Sequence, residues 1–217
     1  MTLMGGTARS GTRAIARAAV RAELSQAAFE LTRQRGFENI TVDDMAAAAG
    51  VSRSTFLRYF GTKEEAVLTA FDAHADWVAD ALRARPADED DWTALRRALG
   101  AVIPYYLRDR VSALAITRLV QASPALSGRQ REKQHGWRPA LTRALAERAH
   151  LSGPVPLALT VKVAAALDCL NIAVEHWSAS DGELDLVELL DEGFVALAPV
   201  DAPEATTDTF PGRSAAV

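Results

Sequence analysis

Along most of the chain apolar residues recur every three or four positions, the period of a helix with one buried face, and no alternating β-branched run is bounded by turn residues. The pattern predicts an all-α fold of about nine helices. The first runs from about Ile15 to Arg35, buries Leu24, Ala27, Ala28 and Leu31, and stops at Gly36. Thr41 opens a second helix that ends near Ala49, with Asp43 and Asp44 where the helix dipole favours acids. Gly50, Val51 and Ser52 make a tight turn, Ser52 caps a third helix through Phe60, and Thr62 caps a long fourth from Lys63 to about Arg85. Further helices fall at about 91–108, 111–122, 125–150, 156–178 and 183–198, separated by Pro86, Ser123-Pro124, Ser152-Gly153-Pro154 and Ser180-Asp181-Gly182. Residues 1–12 read as a flexible basic arm and 199–217, with three prolines, as a disordered tail. Between them the chain divides into a small unit, 13–62, and a larger one, 63–198.

Composition narrows the class. With 217 residues, 49% hydrophobic and 24% charged, the chain has enough apolar material for a real core. The most apolar stretch, Leu157 to Trp177, is interrupted by Lys162, Asp168, Glu175 and His176, so no membrane partner is expected, and no apolar run follows the N-terminal arginines as a secretory signal would require. A cytoplasmic location is the default. The lone Cys169 and the dispersed His74, His135, His150 and His176 lack ligand spacing, so neither a disulfide nor a metal or other cofactor is expected. There is no nucleophile elbow, phosphate loop or spaced carboxylate pair, which argues against an enzyme.

Charge is divided along the chain. Residues 1–63 hold nine Lys/Arg against five acids, +4 in a chain of net −4, which leaves −8 on the remainder. Phosphate attraction is local, so the N-terminal part is the one suited to a polyanion. Its informative segment runs from Gly36 to Lys63: two short helices joined by a small-residue turn, with Val51, Phe56 and Phe60 as the buried seam, a helix-turn-helix. Arg53, Ser54, Thr55, Leu57, Arg58 and Tyr59 fall away from that seam. Arg9, Arg13, Arg17 and Arg21, four apart, form a basic stripe if the first helix extends backwards.

The anchors Thr41, Val42, Met45, Ala46, Ala49, Gly50, Val51, Ser52, Thr55, Phe56, Tyr59, Phe60, Lys63 and Glu64 resemble the DNA-binding signature of the TetR/AcrR family of bacterial regulators, over about 50 residues. The resemblance implies double-stranded DNA as partner. It places Arg53, Ser54 and Thr55 at base edges behind the capping Ser52, Leu57 against a thymine methyl, and Thr41, Arg58, Tyr59 and Lys63 on phosphates.

In the larger unit, rings with a polar handle (His74, Trp77, Trp92, Tyr105, Tyr106, Trp137) suit either a core or a ligand cavity. The family resemblance implies a cavity for a small-molecule effector among the fourth to eighth helices, with Trp77, Tyr106, Arg118 and Trp137 as its expected walls. Arg118 interrupts an apolar stretch and requires an acid, solvent or an anionic ligand group. The helices at about 156–178 and 183–198 are apolar over broad faces (Leu157, Val161, Ala164, Ala165, Leu167; Leu184, Leu186, Val187, Leu190, Phe194), which points to a homodimer, as in the family. The expectation is a homodimeric repressor of a palindromic operator, released by a small, largely hydrophobic effector. A constitutive or architectural DNA binder and an activator remain the alternatives.

Overall fold

The computed structural model describes residues 6–197, with side chains from Arg13 onward, and all regular structure among these residues is helical. The expected tail at 199–217 and residues 1–5 of the expected arm lie outside it. Helix α1, Gly6–Arg35, begins nine residues before the expected start, so the backbone of residues 6–12 belongs to a helix and not to a flexible arm. The Ala/Arg-rich run from Arg13 to Arg21, made of strong helix formers, supports this backward extension.

α1 ends at Gly36, whose φ of 79° suits a residue without a Cβ. A 3-10 turn, Phe37–Asn39, leads to α2, Val42–Ala48, and α3, Arg53–Tyr59. At the start of α2 the Thr41 side chain accepts from the Asp44 N–H while the Asp44 carboxylate accepts from the Thr41 N–H, a full capping box. The Thr41 hydroxyl and backbone hold the Asp44 carboxyl below its ordinary range. Leu24, Ala28, Phe29, Phe37, Ile40, Met45, Phe56 and Phe60 close the head's core, with the Phe56 and Phe60 rings 5.1 Å apart.

The long fourth helix expected from Lys63 to Arg85 is broken. α4 covers only Lys63–Val67, a 3-10 turn follows at Leu68–Phe71, and α5 runs His74–Arg83. The cause is competition for backbone carbonyls. Thr69 Oγ1 donates to Glu65 O at 2.9 Å, Ser25 Oγ of α1 to Ala66 O at 2.7 Å, and Lys133 Nζ to Leu68 O at 3.0 Å. The Asp72 N–H bonds Thr69 O, three residues back, where an α-helix would use Leu68 O. Side-chain donors that capture several carbonyls within one turn bend or tighten a helix in this way.

The body continues with α6, Asp91–Leu99, a 3-10 turn at Gly100–Val102, α7, Ile103–Arg108, α8, Arg110–Ala122, α9, Pro124–Arg148, α10, Leu157–Ala179, and α11, Leu186–Ala196. The single helix expected at 91–108 is thus two. Pro104 has no N–H for the Gly100 carbonyl, and its ring crowds that carbonyl. α5 packs on α9 and α6, and α10 lies between α9 and α11. Cys169 on α10 and Gly193 on α11 meet closely, the thiol donating to Gly193 O at 3.4 Å. Head and body are not separate: Ile116 and Val120 of α8 and Leu126 of α9 are buried in the head's core.

α10 is long and apolar enough, at a mean hydropathy of 1.8 over its best window, to cross a membrane. One side of it (Leu159, Val163, Leu167, Leu170, Trp177) is instead buried in the helical core. A second stripe, with Leu157 78%, Val161 57% and Ile172 54% exposed, faces away from the protomer. The expected contact residues Leu167, Leu186, Leu190 and Phe194 lie in the protomer's own core, and the outward face is carried by Leu157, Val161, Ile172 and Val187.

Gly50 joins α2 to α3 at φ 67°, and a Cβ built there meets nothing within 4 Å. Gly50→Ala therefore carries backbone strain without a clash, and should lower unfolding free energy by about 1–2 kcal/mol in a denaturant titration, with α3 otherwise intact by amide exchange.

Candidate nucleic-acid interface and internal cavity

α3 presents its outer face through a simple division: Phe56 and Phe60 fix it to the core, and Arg53, Ser54, Leu57 and Arg58 are exposed. Ser52 caps it, accepting from the Thr55 N–H at 3.2 Å, and its hydroxyl also lies 3.0 Å from those of Ser54 and Thr55. Thr55 is half-buried at this cap. Thr41 likewise spends its hydroxyl on Asp44, 2.6 Å away.

Arg53 is not idle. Its Nη1 donates to Asp43 Oδ2 of α2 at 2.6 Å, and both side chains are more than half exposed. An exposed pair of this kind contributes about 0–1 kcal/mol, little enough for a nucleic-acid group to replace Asp43. Asp43 was visible in the sequence only as a helix-start acid.

Lys63 is placed differently from the other expected phosphate contacts. Its Nζ donates to Phe37 O at 3.1 Å and Ile40 O at 3.2 Å and sits 4.2 Å from the Phe37 ring centroid. It ties α4 to the 3-10 turn between α1 and α2, whose carbonyls it satisfies. Arg17 Nη2 donates to Arg58 O at 3.1 Å and its guanidinium lies 4.9 Å from the Tyr59 ring centroid, with Arg58 5.8 Å from the same ring. Arg21 lies over Phe60 and pairs with Asp72. Two arginines of the basic stripe thus support α3 from behind, Arg13 is exposed, and the Arg9 side chain lies outside the described residues.

Below the break at Leu68–Phe71 lies a cavity of about 390 Å³, walled by Phe71, His74, Tyr106, Thr117, Trp137 and Leu170 among others. It brings together Tyr106 and Trp137 of the four expected wall residues. Trp77 instead borders a separate cleft of about 520 Å³ between α1 and α7–α8. Arg118 does not reach the cavity: it bonds Ser178 O at 3.1 Å and pairs with Asp181 on the surface, which meets the need for an acid without any ligand.

His74 is the centre of the ring cluster. Its centroid is 4.7 Å from Tyr105, 5.2 Å from Trp77, 5.4 Å from Phe71 and 6.1 Å from Trp137. It is 1% exposed, and burial together with the nearby Lys133 charge pushes its pKa down to about 4, so the imidazole is neutral. His74 Nε2, Thr117 Oγ1 and Gln130 Oε1 are buried without a hydrogen-bond partner among the described residues, and all three residues line this cavity. Thr117 and Gln130 carry no sequence signal beyond being polar residues on helices.

These features define a two-part all-α protein: a helix-turn-helix head with an exposed basic α3, on a helical body with a cavity that opens to the surface. Residues 24–69 match the model of the bacterial regulatory proteins of the tetR family, and residues 89–202 match the MftR C-terminal domain. The chain belongs to the TetR family of transcriptional regulators, DNA-binding proteins that are typically dimeric repressors with a ligand-binding C-terminal domain. It is 34% identical to the regulator TcmR of Streptomyces glaucescens over 59% of each chain, less than two thirds of that protein's length. It is 28% identical to MftR of Mycobacterium tuberculosis, named as a mycofactocin biosynthesis regulator, over 79% of this chain and 85% of that one. Among solved structures, the FadR repressor of Thermus thermophilus in complex with lauroyl-CoA shares the fold, with a TM-score of 0.51, 22% identity, and coverage of 85% of this chain and 98% of that one.

The neutral state of His74 makes stability depend on pH. Unfolded, the ring binds a proton below its ordinary 6.5; folded, it does so only near 4. Its contribution is therefore complete above pH 6.5 and is lost as pH falls from 6.5 towards 4, by about 1.4 kcal/mol per unit. His74→Phe should remove this slope, seen as the difference between wild-type and variant denaturation free energies across pH 4–7; equal slopes would show that the ring is protonated in the fold.

Proposed function

We propose that the protein is a cytoplasmic, homodimeric repressor that binds a two-fold symmetric operator through α3 and is released by a small, largely hydrophobic effector held in the cavity beside His74. The observation that carries this reading is the position of the cavity: Phe71 and His74, which close the break between head and body, are also its walls. A molecule that binds better to one arrangement of these walls shifts the population of head orientations by its difference in affinity. Operator affinity falls once the two copies of α3 depart from the roughly 34 Å separation of successive major grooves.

The outward stripe Leu157, Val161 and Ile172 on α10, with Val187 on α11, supports pairing of two protomers through α10 and α11 in a four-helix contact. The resulting two-fold axis is what a palindromic site requires. In this reading Arg53 leaves Asp43 and contacts a base edge, with Ser54 and Leu57 beside it. Arg58 and the Tyr59 hydroxyl meet phosphates, and Ser52, Thr55 and Thr41 hold the helix ends that position them. Lys63 acts through the shape of the head.

Selection of genomic fragments by the purified protein, followed by footprinting, tests this directly. Two protected half-sites related by symmetry are expected, as is loss of protection with a cell metabolite extract. Protection indifferent to every extract would indicate a constitutive binder. Arg53→Ala should reduce the ratio of specific to random DNA affinity by roughly 5- to 150-fold, the equivalent of about 1–3 kcal/mol for a base contact. An unchanged ratio would place base readout elsewhere on α3.

A further inference from the structure

The three unpartnered polar atoms come from three different helices, His74 of α5, Thr117 of α8 and Gln130 of α9, and each belongs to a residue of the cavity wall, which also carries the rings of Phe71, Tyr106 and Trp137. Burying such a group without a partner is unfavourable, and three in one cavity specify something about its occupant. An alkyl chain would cover all three and satisfy none. A hydroxyl both donates and accepts, so it can pair with the imidazole in either tautomer, with the threonine hydroxyl or with the glutamine amide. The rings of Phe71, His74, Tyr106 and Trp137 offer faces and edges on which a flat ring stacks.

Charge at the opening points the same way. Asp168 and Glu175 of α10 lie at the exposed lip, with Arg131 of α9 as the cation beside them. Two acids to one base at the lip, with the Lys133 charge near His74 already paired to Asp72, do not favour an anionic ligand. The volume, about 390 Å³, lies at the small end of the range for ligand pockets.

We propose that the cavity binds a neutral aromatic molecule carrying hydroxyl or carbonyl groups, its rings stacked between Phe71, Tyr106 and Trp137 and its oxygens hydrogen-bonded to His74, Thr117 and Gln130. This rests on the effector reading above and gives that site a ligand class. It separates the protein from a receptor for fatty-acyl chains.

The test uses the full-length protein and three probes in calorimetric titrations: 2,7-dihydroxynaphthalene, naphthalene, which has the same rings without oxygens, and dodecanoate, an anionic alkyl chain. The diol should bind at least about tenfold more tightly than naphthalene, as two net hydrogen bonds imply. Thr117→Val, a near-isostere, and His74→Phe should each reduce that ratio several-fold while leaving naphthalene binding no weaker. Both variants should also melt at or above the wild-type temperature without ligand, because each removes an unsatisfied buried polar atom. A diol-to-naphthalene ratio near one, or a ratio unchanged by Thr117→Val, overturns the proposal. Tighter binding of dodecanoate, with release of selected operator DNA, overturns the ligand class but leaves the effector reading standing. If none of the three binds while operator binding is intact, the proposed ligand class is overturned, and the effector reading is decided separately by the extract test above.

Discussion

Between Glu65 and Asp72 the backbone gives up its helical ladder to donors from elsewhere in the chain: Ser25 from α1, Thr69 from the segment itself and Lys133 from α9. Asp72, at the end of this stretch, pairs with both Arg21 of α1 and Lys133 of α9, so one carboxylate joins the head, the joint and the body. Isolated exposed ion pairs add little to stability, but here two partly buried cations, Arg21 and Lys133, share the one exposed carboxylate of Asp72. Val67, Leu68 and Phe71 bury their side chains beside them. A continuous helix from Lys63 to Arg85 would have carried the head as a rigid extension of α5. With the break, the direction of the head is set by these contacts together with the shared core of Ile116, Val120 and Leu126.

Function follows from what those contacts touch. Ser25 and Arg21 belong to the helix that supports α3, where Arg17 braces Arg58 and Tyr59. On the other side of the joint, Phe71 and His74 form part of the cavity wall. The head and the cavity are thus connected through this segment and through α8, where Thr117 and Val120 line the cavity and Val120 also packs in the head's core, and packed elements of this kind move between discrete arrangements. The cavity keeps three polar atoms unsatisfied, which lowers stability, and holds a histidine neutral, which does so only below about pH 6.5, as expected where a site is kept ready for a ligand.

What the sequence disclosed was set by whether the causes were local. The helix-turn-helix was legible because Gly36, Thr41, Gly50 and Ser52 act on their own neighbours through caps and a positive φ. The broken helix was not legible, since nothing within residues 63–85 except Thr69 disturbs the helical pattern, and the remaining donors lie over 40 residues away. Arg118 misled because an arginine in an apolar run suggested a buried charge; it projects outward to Asp181, a residue in the turn after α10. Lys63 carries the spacing of a phosphate contact, yet the carbonyls of Phe37 and Ile40 hold it. The cavity's polar groups escaped notice because a threonine and a glutamine on amphipathic helices look like surface residues until α5, α8 and α9 converge.

The central claim is that the joint at Asp72 fixes the separation of two reading helices in a dimer. It is tested most directly by pulsed electron resonance between spin labels at Glu23→Cys, exposed on α1 of the head and outside the proposed DNA face, in a Cys169→Ala background, with and without Asp72→Ala. The account predicts a single narrow inter-protomer distance on operator DNA, and a broadened or displaced distribution when Asp72 is removed from the free protein. Identical distributions with and without Asp72, or no inter-protomer coupling at all, would contradict it.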